Sequence, residues 1–323
     1  MGINAKPLPK RSRKEGIKPK RTDQKTKMNL KERWEKDIKD AEAKKDLHAE
    51  AKRLRAEEAA QHSAKMAHQY EKEIHACAEQ SEIYESYIKD FAVAAPHGDL
   101  TVSVNDTDSV SAVLEESGKK QCILNFASYK NPGGGFITGS IAQEEALCHE
   151  SFLCNVLSMF QESFYEQNKK YPNWSLYGNR SVYSPDVIFI RGEQIGKADV
   201  ITCASPNWRS AKSYGVTEEE NERILRQRIN HLLKVAAVHK IERLILGAFG
   251  CGAFGQDPSL CARIFHEEIE RVFHGRSMDI LFAIPMGNGN FEIFRDEMEK
   301  SIDWKSIPAV DWTPVKKRSK KTS

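Results

Sequence analysis

An α/β/α sandwich with a mixed, mainly parallel sheet, preceded by a long charged helical extension, is the fold class this sequence predicts. Three observations carry it. From about residue 100 onwards, short apolar or β-branched runs alternate with helical patterns of a dozen or more residues, as in a sheet covered on both faces. Two glycine-rich segments, PGGGF at 132–136 and GAFGCGAFG at 247–255, each follow such a run directly. Ligands in open sheets of this class bind beyond the carboxyl ends of the strands, so both segments are expected on one sheet edge. Between Pro19 and Pro96 there is neither glycine nor proline, and Ala, Glu, Lys and Arg dominate, which favours helix.

The elements follow in chain order. Residues 1–28 hold three prolines, two glycines and little apolar content, and are read as a disordered basic tail. Residues 29–77 are read as the long charged helix. Leu30, Trp34 and Ile38 give it one weak stripe, but no heptad continues through 39–65, so a solvated helix is expected rather than a coiled coil. Apolar spacing tightens at Ile83, Tyr84, Tyr87, Ile88 and Phe91, which puts the globular domain at 78–310, before a basic tail at 311–323. Leu100–Val104 alternates like a strand, Ser109–Glu116 reads as a short helix ended by Gly118, and Gln121–Phe126 is a buried strand. Periodicity through Leu147, Phe152, Val156 and Met159 predicts one helix over 144–165. Val187–Ile190 and Val200–Cys203 are short strands, and Thr217 with Glu220 forms a capping box for a helix to about His239. Leu244–Leu246 is another strand, Asp257-Pro258 starts a helix, Ile280–Ile284 is the last strand, and a closing helix begins near Phe291.

Composition sets the remaining bounds. No run of about eighteen apolar residues occurs, so no transmembrane helix is expected. The basic N-terminus has no apolar segment behind it, unlike a secretory signal. The seven cysteines, 77, 122, 148, 154, 203, 251 and 261, include no CxxC pair and read as buried thiols of an intracellular protein, with no metal site. Charge is uneven: residues 1–27 carry a net +8 and residues 316–323 a net +5, leaving −10 for 28–315 out of an overall +3. The clusters PKRSRK (9–14), KPKR (18–21) and KKRSKK (316–321) suit solubilising tails, nonspecific attraction to nucleic acid or another polyanion, or nuclear import. A nuclear or cytoplasmic location is expected, away from membranes.

The stretch NFASYKNPGGGFITGSIAQEE (125–145) holds the chemistry. Three consecutive glycines let a backbone approach a phosphate closely. Alone, GGG is a better turn than ligand site, and Glu144 and Glu145 are a better helix-dipole feature than a catalyst. Their separation by only seven residues opens another reading. One carboxylate binds ribose hydroxyls, while the other, held in a semi-apolar cleft, protonates a glycosidic oxygen. The first loop lacks the GK[ST] of a P-loop NTPase and the GxGxxG of a nicotinamide fold. The second loop, with Gly247, Gly250, Gly252 and Gly255, supplies another anion-binding concavity, and Phe254 is placed to stack on a ribose or base.

GGG, seven residues and QEE, together with LNFASYKNPGGGF, QEEALCHESFL, VYSPDVIFIRG and GAFGCGAFGQDP, resemble the compact bacterial type of poly(ADP-ribose) glycohydrolase over roughly 80–300. The resemblance implies a macrodomain-like core that hydrolyses the ribose–ribose O-glycosidic bonds of poly(ADP-ribose) and releases ADP-ribose, without a metal or other cofactor. Implied partners are poly(ADP-ribose) and ADP-ribosylated proteins, with a monomeric enzyme. Position by position, the resemblance makes Glu145 the catalytic general acid, gives the ribose hydroxyls to Glu144, and has Gln143 orient the pair. Gly133, Gly134 and Gly135 match the loop around the diphosphate and distal ribose. Gly250, Gly252, Ala253, Phe254 and Gly255 match the second phosphate loop, with Phe254 against that ribose. Ser128 stands where many macrodomain relatives carry a ribose-binding Asn, which leaves Asn125 or Asn131 to supply that bond. Ile284 and Phe291 are candidates for the adenine pocket. Two other readings stay open: a macrodomain module that binds ADP-ribose without cleaving it, and a nucleic-acid-associated protein acting through its basic tails.

Overall fold

In a computed structural model of the chain, residues 30–85, 88, 98–115 and 117–315 are described. The basic clusters at 9–14, 18–21 and 316–321 lie outside them, as do Tyr87, Phe91 and Glu116. Seven strands form one sheet: β1 (Glu82–Tyr84), β2 (Leu100–Asn105), β3 (Gln121–Phe126), β4 (Ser181–Arg191), β5 (Gln194–Cys203), β6 (Arg243–Leu246) and β7 (Met278–Ala283). Their spatial order is β1-β4-β5-β3-β6-β7-β2. From β5 to β2 every neighbouring pair is parallel, whereas β4 runs antiparallel to both β5 and β1. The mixed, mainly parallel sheet is therefore as expected. What the sequence pattern did not suggest is that the β-branched runs before Cys203 form a hairpin, β4 and β5, turning at Gly192.

The helices are α1 (Leu30–Gln69), α2 (Glu71–Gln80), α3 (Ser109–Leu114), α4 (Gln143–His149), α5 (Leu153–Ser158), α6 (Glu166–Lys170), α7 (Trp208–Ala211), α8 (Glu218–Val238), α9 (Pro258–Phe273) and α10 (Asn290–Met298). Strand alternation divides the apolar residues between two cores. Cys122 and Leu124 of β3 join one with Leu232 of α8 and Phe265 of α9, while Ile123 between them joins the other with Ile74 of α2 and Val156 of α5. The cap signals hold. Thr217 Oγ1 accepts from the Glu220 amide at 3.2 Å, and the Asp257 carboxylate accepts from the Leu260 amide at 2.9 Å. Each such cap contributes about 1 kcal/mol.

Three boundaries differ from the sequence expectation. The single helix over 144–165 is instead α4, α5 and a π-helical turn at Gln161–Tyr165. Ser151 leaves the helix to bridge Phe189 of β4, its hydroxyl bonds the Leu147 carbonyl at 2.6 Å, and the Glu150 carbonyl accepts from the Ile190 amide at 2.7 Å. Periodicity reports only a buried face, and that face survives the break. The C-terminal segment does not leave the domain at 310, because the Asp311 and Thr313 carbonyls accept from Gln227 of α8.

The third difference concerns the long helix. The chain divides into two compact units, Met1–Ala49 and Glu50–Ser323. Of the first, the described residues 30–49 are helical. Residues 50–77, expected to precede the globular domain, belong to the second unit. Ala59, Met66, Ile74 and Cys77 are buried in it, and α1 gives way to α2 at Tyr70. Small and alanine-rich positions hid this face, since Ala59 packs among Phe136, Cys148 and Cys154 without reading as part of an apolar stripe. Replacing Ala59 by Leu overfills that contact and is expected to destabilise the protein by about 1–3 kcal/mol, checked by urea denaturation.

Candidate active site

The parallel pairing of β3 with β5 and β6 brings the segments after Phe126, Cys203 and Leu246 to one edge of the sheet. Both glycine loops lie there, as the strand–loop pattern required. Against the first of them stands the first turn of α4, carrying Gln143, Glu144 and Glu145.

Gln143 fixes α4 to the end of β3. The β3–β6 pairing ends at Ile123–Ile245, and beyond it the Gln143 side chain takes over the strand's free peptide groups. Its Oε1 accepts from the Phe126 amide at 2.9 Å, and its Nε2 donates to the Leu124 carbonyl at 2.9 Å and to Ser109 Oγ at 3.3 Å. Both bonds to β3 fix the helix against the strand in rotation and in height.

The two carboxylates do not cap their own helix; both reach across to the loop after β3. Glu144 is 3% exposed and both of its oxygens are engaged. Its Oε2 accepts from the Ser128 amide at 2.6 Å, and its Oε1 accepts from Asn125 Nδ2 at 3.2 Å. Burial pushes the Glu144 carboxyl well above the ordinary range despite those two donors. Glu145 is 6% exposed, and its Oε1 accepts from the Gly135 amide at 2.8 Å. Its Oε2 is buried and has no partner among the described residues, the one oxygen of the pair left so.

Two glycines of the first loop are required by what surrounds them. Gly134 has φ +62, and a Cβ there would stand 2.7 Å from both Glu144 Oε2 and Glu145 Oε1. Gly133 has φ +66, and its Cβ would stand 2.7 Å from Cys154 Sγ. Only glycine allows this handedness and this closeness together. On the far side, the 50–69 portion of α1 braces the loop. Arg55 Nε donates to the Gly139 carbonyl at 2.9 Å, and the His62 ring bonds the Ser151 carbonyl at 2.9 Å.

In the second loop, Gly252 and Ala253 are exposed, and Phe254 and Gly255 are half-buried. The Phe254 carbonyl accepts from the Arg209 amide at 2.9 Å. Its ring packs beside Tyr177, which stacks on Tyr129 with ring centroids 4.2 Å apart. Gly250 lies against the Ser205 side chain, in the segment after β5.

Ser128, Asn125 and Asn131 fall into different roles. The Ser128 hydroxyl accepts from the Lys130 and Asn131 amides at 3.3 and 3.2 Å, so it shapes the turn while its own amide holds Glu144. Asn125 is fully buried behind Glu144, and Asn131 is exposed. Ile284 and Phe291 are buried in the core with α9. Sequence reasoning missed the Tyr129–Tyr177 pair and Ser205. For the tyrosines no local pattern marks the site, whereas Ser205 could have been found from its place after a parallel strand.

Comparison with known proteins agrees with the fold. Residues 49–192 match the family model of the microbial-type PARG catalytic domain. A poly(ADP-ribose) glycohydrolase from Deinococcus radiodurans, solved in complex with ADP-ribose, is 30% identical, with TM-score 0.62, 70% of this chain and 97% of that one covered. The enzyme from Thermomonospora curvata, solved with the inhibitor ADP-HPD, is 25% identical, with TM-score 0.62, 75% and 98% covered. Comparison with curated protein sequences finds no match. With nearly the whole of a relative 30% identical to it covered, and residues 49–192 matching the family model, this chain is a member of the poly(ADP-ribose) glycohydrolase family.

Proposed function

We propose that this protein hydrolyses the ribose–ribose O-glycosidic bonds of poly(ADP-ribose) and releases ADP-ribose, with Glu145 as general acid and base. The observation that carries the assignment within the pair is the unpartnered, buried Oε2 of Glu145, beside a Glu144 whose two oxygens are both held. A group that must exchange a proton with substrate needs one oxygen free, and a group that orients needs both fixed.

The steps follow from that division. The amides of the two glycine loops receive the diphosphate of the terminal unit, Phe254 lies against its distal ribose, and Glu144 orients the ribose hydroxyls. Such positioning supplies a large share of the rate. Glu145 Oε2 gives its proton to the departing ribose oxygen. The C–O bond breaks with its electron pair going to that oxygen, and the sugar passes through an oxocarbenium-like state. The resulting carboxylate takes a proton from the attacking water, which completes the new C–OH bond and restores the acid. Among the described residues no helix is long and apolar enough to cross a membrane. The basic clusters at 9–21 and 316–321 suit attraction to the polymer, itself a polyanion, as well as nuclear import.

Glu145→Gln is expected to lower the release of ADP-ribose from automodified poly(ADP-ribosyl)ated protein by about 10²–10⁴-fold, with ADP-ribose still bound. Chromatography of the products reads this directly. Free ADP-ribose at the wild-type rate from that variant would remove Glu145 from the mechanism, and intact polymer with the wild-type protein would leave a binding module. Gly134→Ala is expected to cut kcat/KM by at least about 100-fold, because the added methyl displaces both carboxylates. A Gly134→Ala enzyme with unchanged kcat/KM would mean that the loop tolerates a side chain there and does not set the acid's position.

A further inference from the structure

Arg228, in the middle of α8, is fully buried and is the bulkiest of the fully buried side chains among the described residues. Its Nε donates to Asn179 Oδ1 at 2.9 Å, one terminal nitrogen to the Leu176 carbonyl at 3.2 Å, and the other to the Ala204 carbonyl. Every acceptor is neutral, and among the described residues no carboxylate forms an ion pair with it, in contrast to Arg226 on the same helix, which meets Glu267 and Glu268. The ionisable groups that face it, Cys203, Tyr129 and Tyr177, are uncharged at neutral pH. An arginine keeps its proton even when burial pulls its pKa down, so the cost of this charge stands unless an anion offsets it.

The place where an anion would offset it is specific. Ala204, which takes one of the guanidinium bonds, is followed by Ser205, and Ser205 lies against Gly250 of the second glycine loop. Tyr177, beside the same guanidinium, packs against Phe254 of that loop. One layer of residues separates the buried cation from the proposed phosphate loop, in a region where water does little to screen it.

Resting on the functional reading above, we infer that Arg228 is an electrostatic positioning residue: its uncompensated charge draws the substrate's diphosphate to the second glycine loop without touching it. Its hydrogen bonds also brace the segments at 176–179 and 204–206, so a test must separate charge from bracing.

The substitution Asn179→Asp places a carboxylate against the guanidinium while leaving the arginine in place, at the loss of the Asn179 Nδ2 bond to Gln227 Oε1, and Asn179→Ala, which loses that bond without adding charge, is its control. ADP-ribose binding, measured by titration calorimetry at high salt to suppress exposed charges, is expected to weaken about tenfold in Asn179→Asp relative to Asn179→Ala. In parallel, Arg228→Gln is expected to weaken binding by about tenfold and raise KM more than it lowers kcat, whereas Arg228→Lys stays within about threefold of wild type. Equal affinity in Asn179→Asp and Asn179→Ala overturns the inference, and so does an equal loss in Arg228→Lys and Arg228→Gln, which would assign the residue to bracing alone. Wild-type protein that binds no ADP-ribose overturns the functional reading and this inference with it.

Discussion

The site depends on one side chain substituting for a strand. Where β6 stops pairing with β3, the Gln143 amide accepts from Phe126 and donates to Leu124, in place of the next residue of a neighbouring strand. Unpaired peptide groups at a buried strand end are costly, so this pairing is strongly held. It places the first turn of α4 at a fixed height above the sheet, and with it the two glutamates. Their distances to Ser128, Asn125 and Gly135 all follow from that placement.

Around this anchor, the loop and the carboxylates define each other. Glu144 and Glu145 hold the loop through the Ser128 and Gly135 amides, and the absence of a side chain at Gly134 leaves them room. Glu144 has both oxygens engaged by the loop and strand. Glu145 keeps one oxygen uncommitted. An unpaired buried oxygen is unfavourable in the free protein. The same logic applies at a longer range to Arg228, a buried charge with only neutral acceptors. Both features carry an unfavourable cost in the free protein.

The helix at 50–69 illustrates how polar composition can conceal packing. Its role rests on a few contacts: Ala59 against Phe136, Arg55 to the Gly139 carbonyl, and His62 to the Ser151 carbonyl. None of these leaves an apolar stripe in the sequence. A small residue admits close approach, and a long polar side chain bonds backbone at its tip while looking solvated in composition.

Much of the fold was legible from residues 100 onwards because strand alternation, caps and breakers are local signals. Thr217, Asp257-Pro258 and the apolar run at 121–126 act on their immediate neighbours, so local residues alone suffice to place those elements. Sequence alone also specifies the site's parts, GGG and QEE at seven-residue spacing, and the sheet edge on which two strand-following loops must lie. Tertiary structure decided what distance in sequence conceals. The break at Ser151 exists because β4 competes for the helix's backbone, and the residues at 50–77 join the domain through contacts spread over the fold. The different hydrogen-bond surroundings of Glu144 and Glu145 are of the same kind. Adjacent and chemically identical in sequence, they differ only in which amides of the folded loop reach them, and that is set by where Gln143 ties the helix to the sheet.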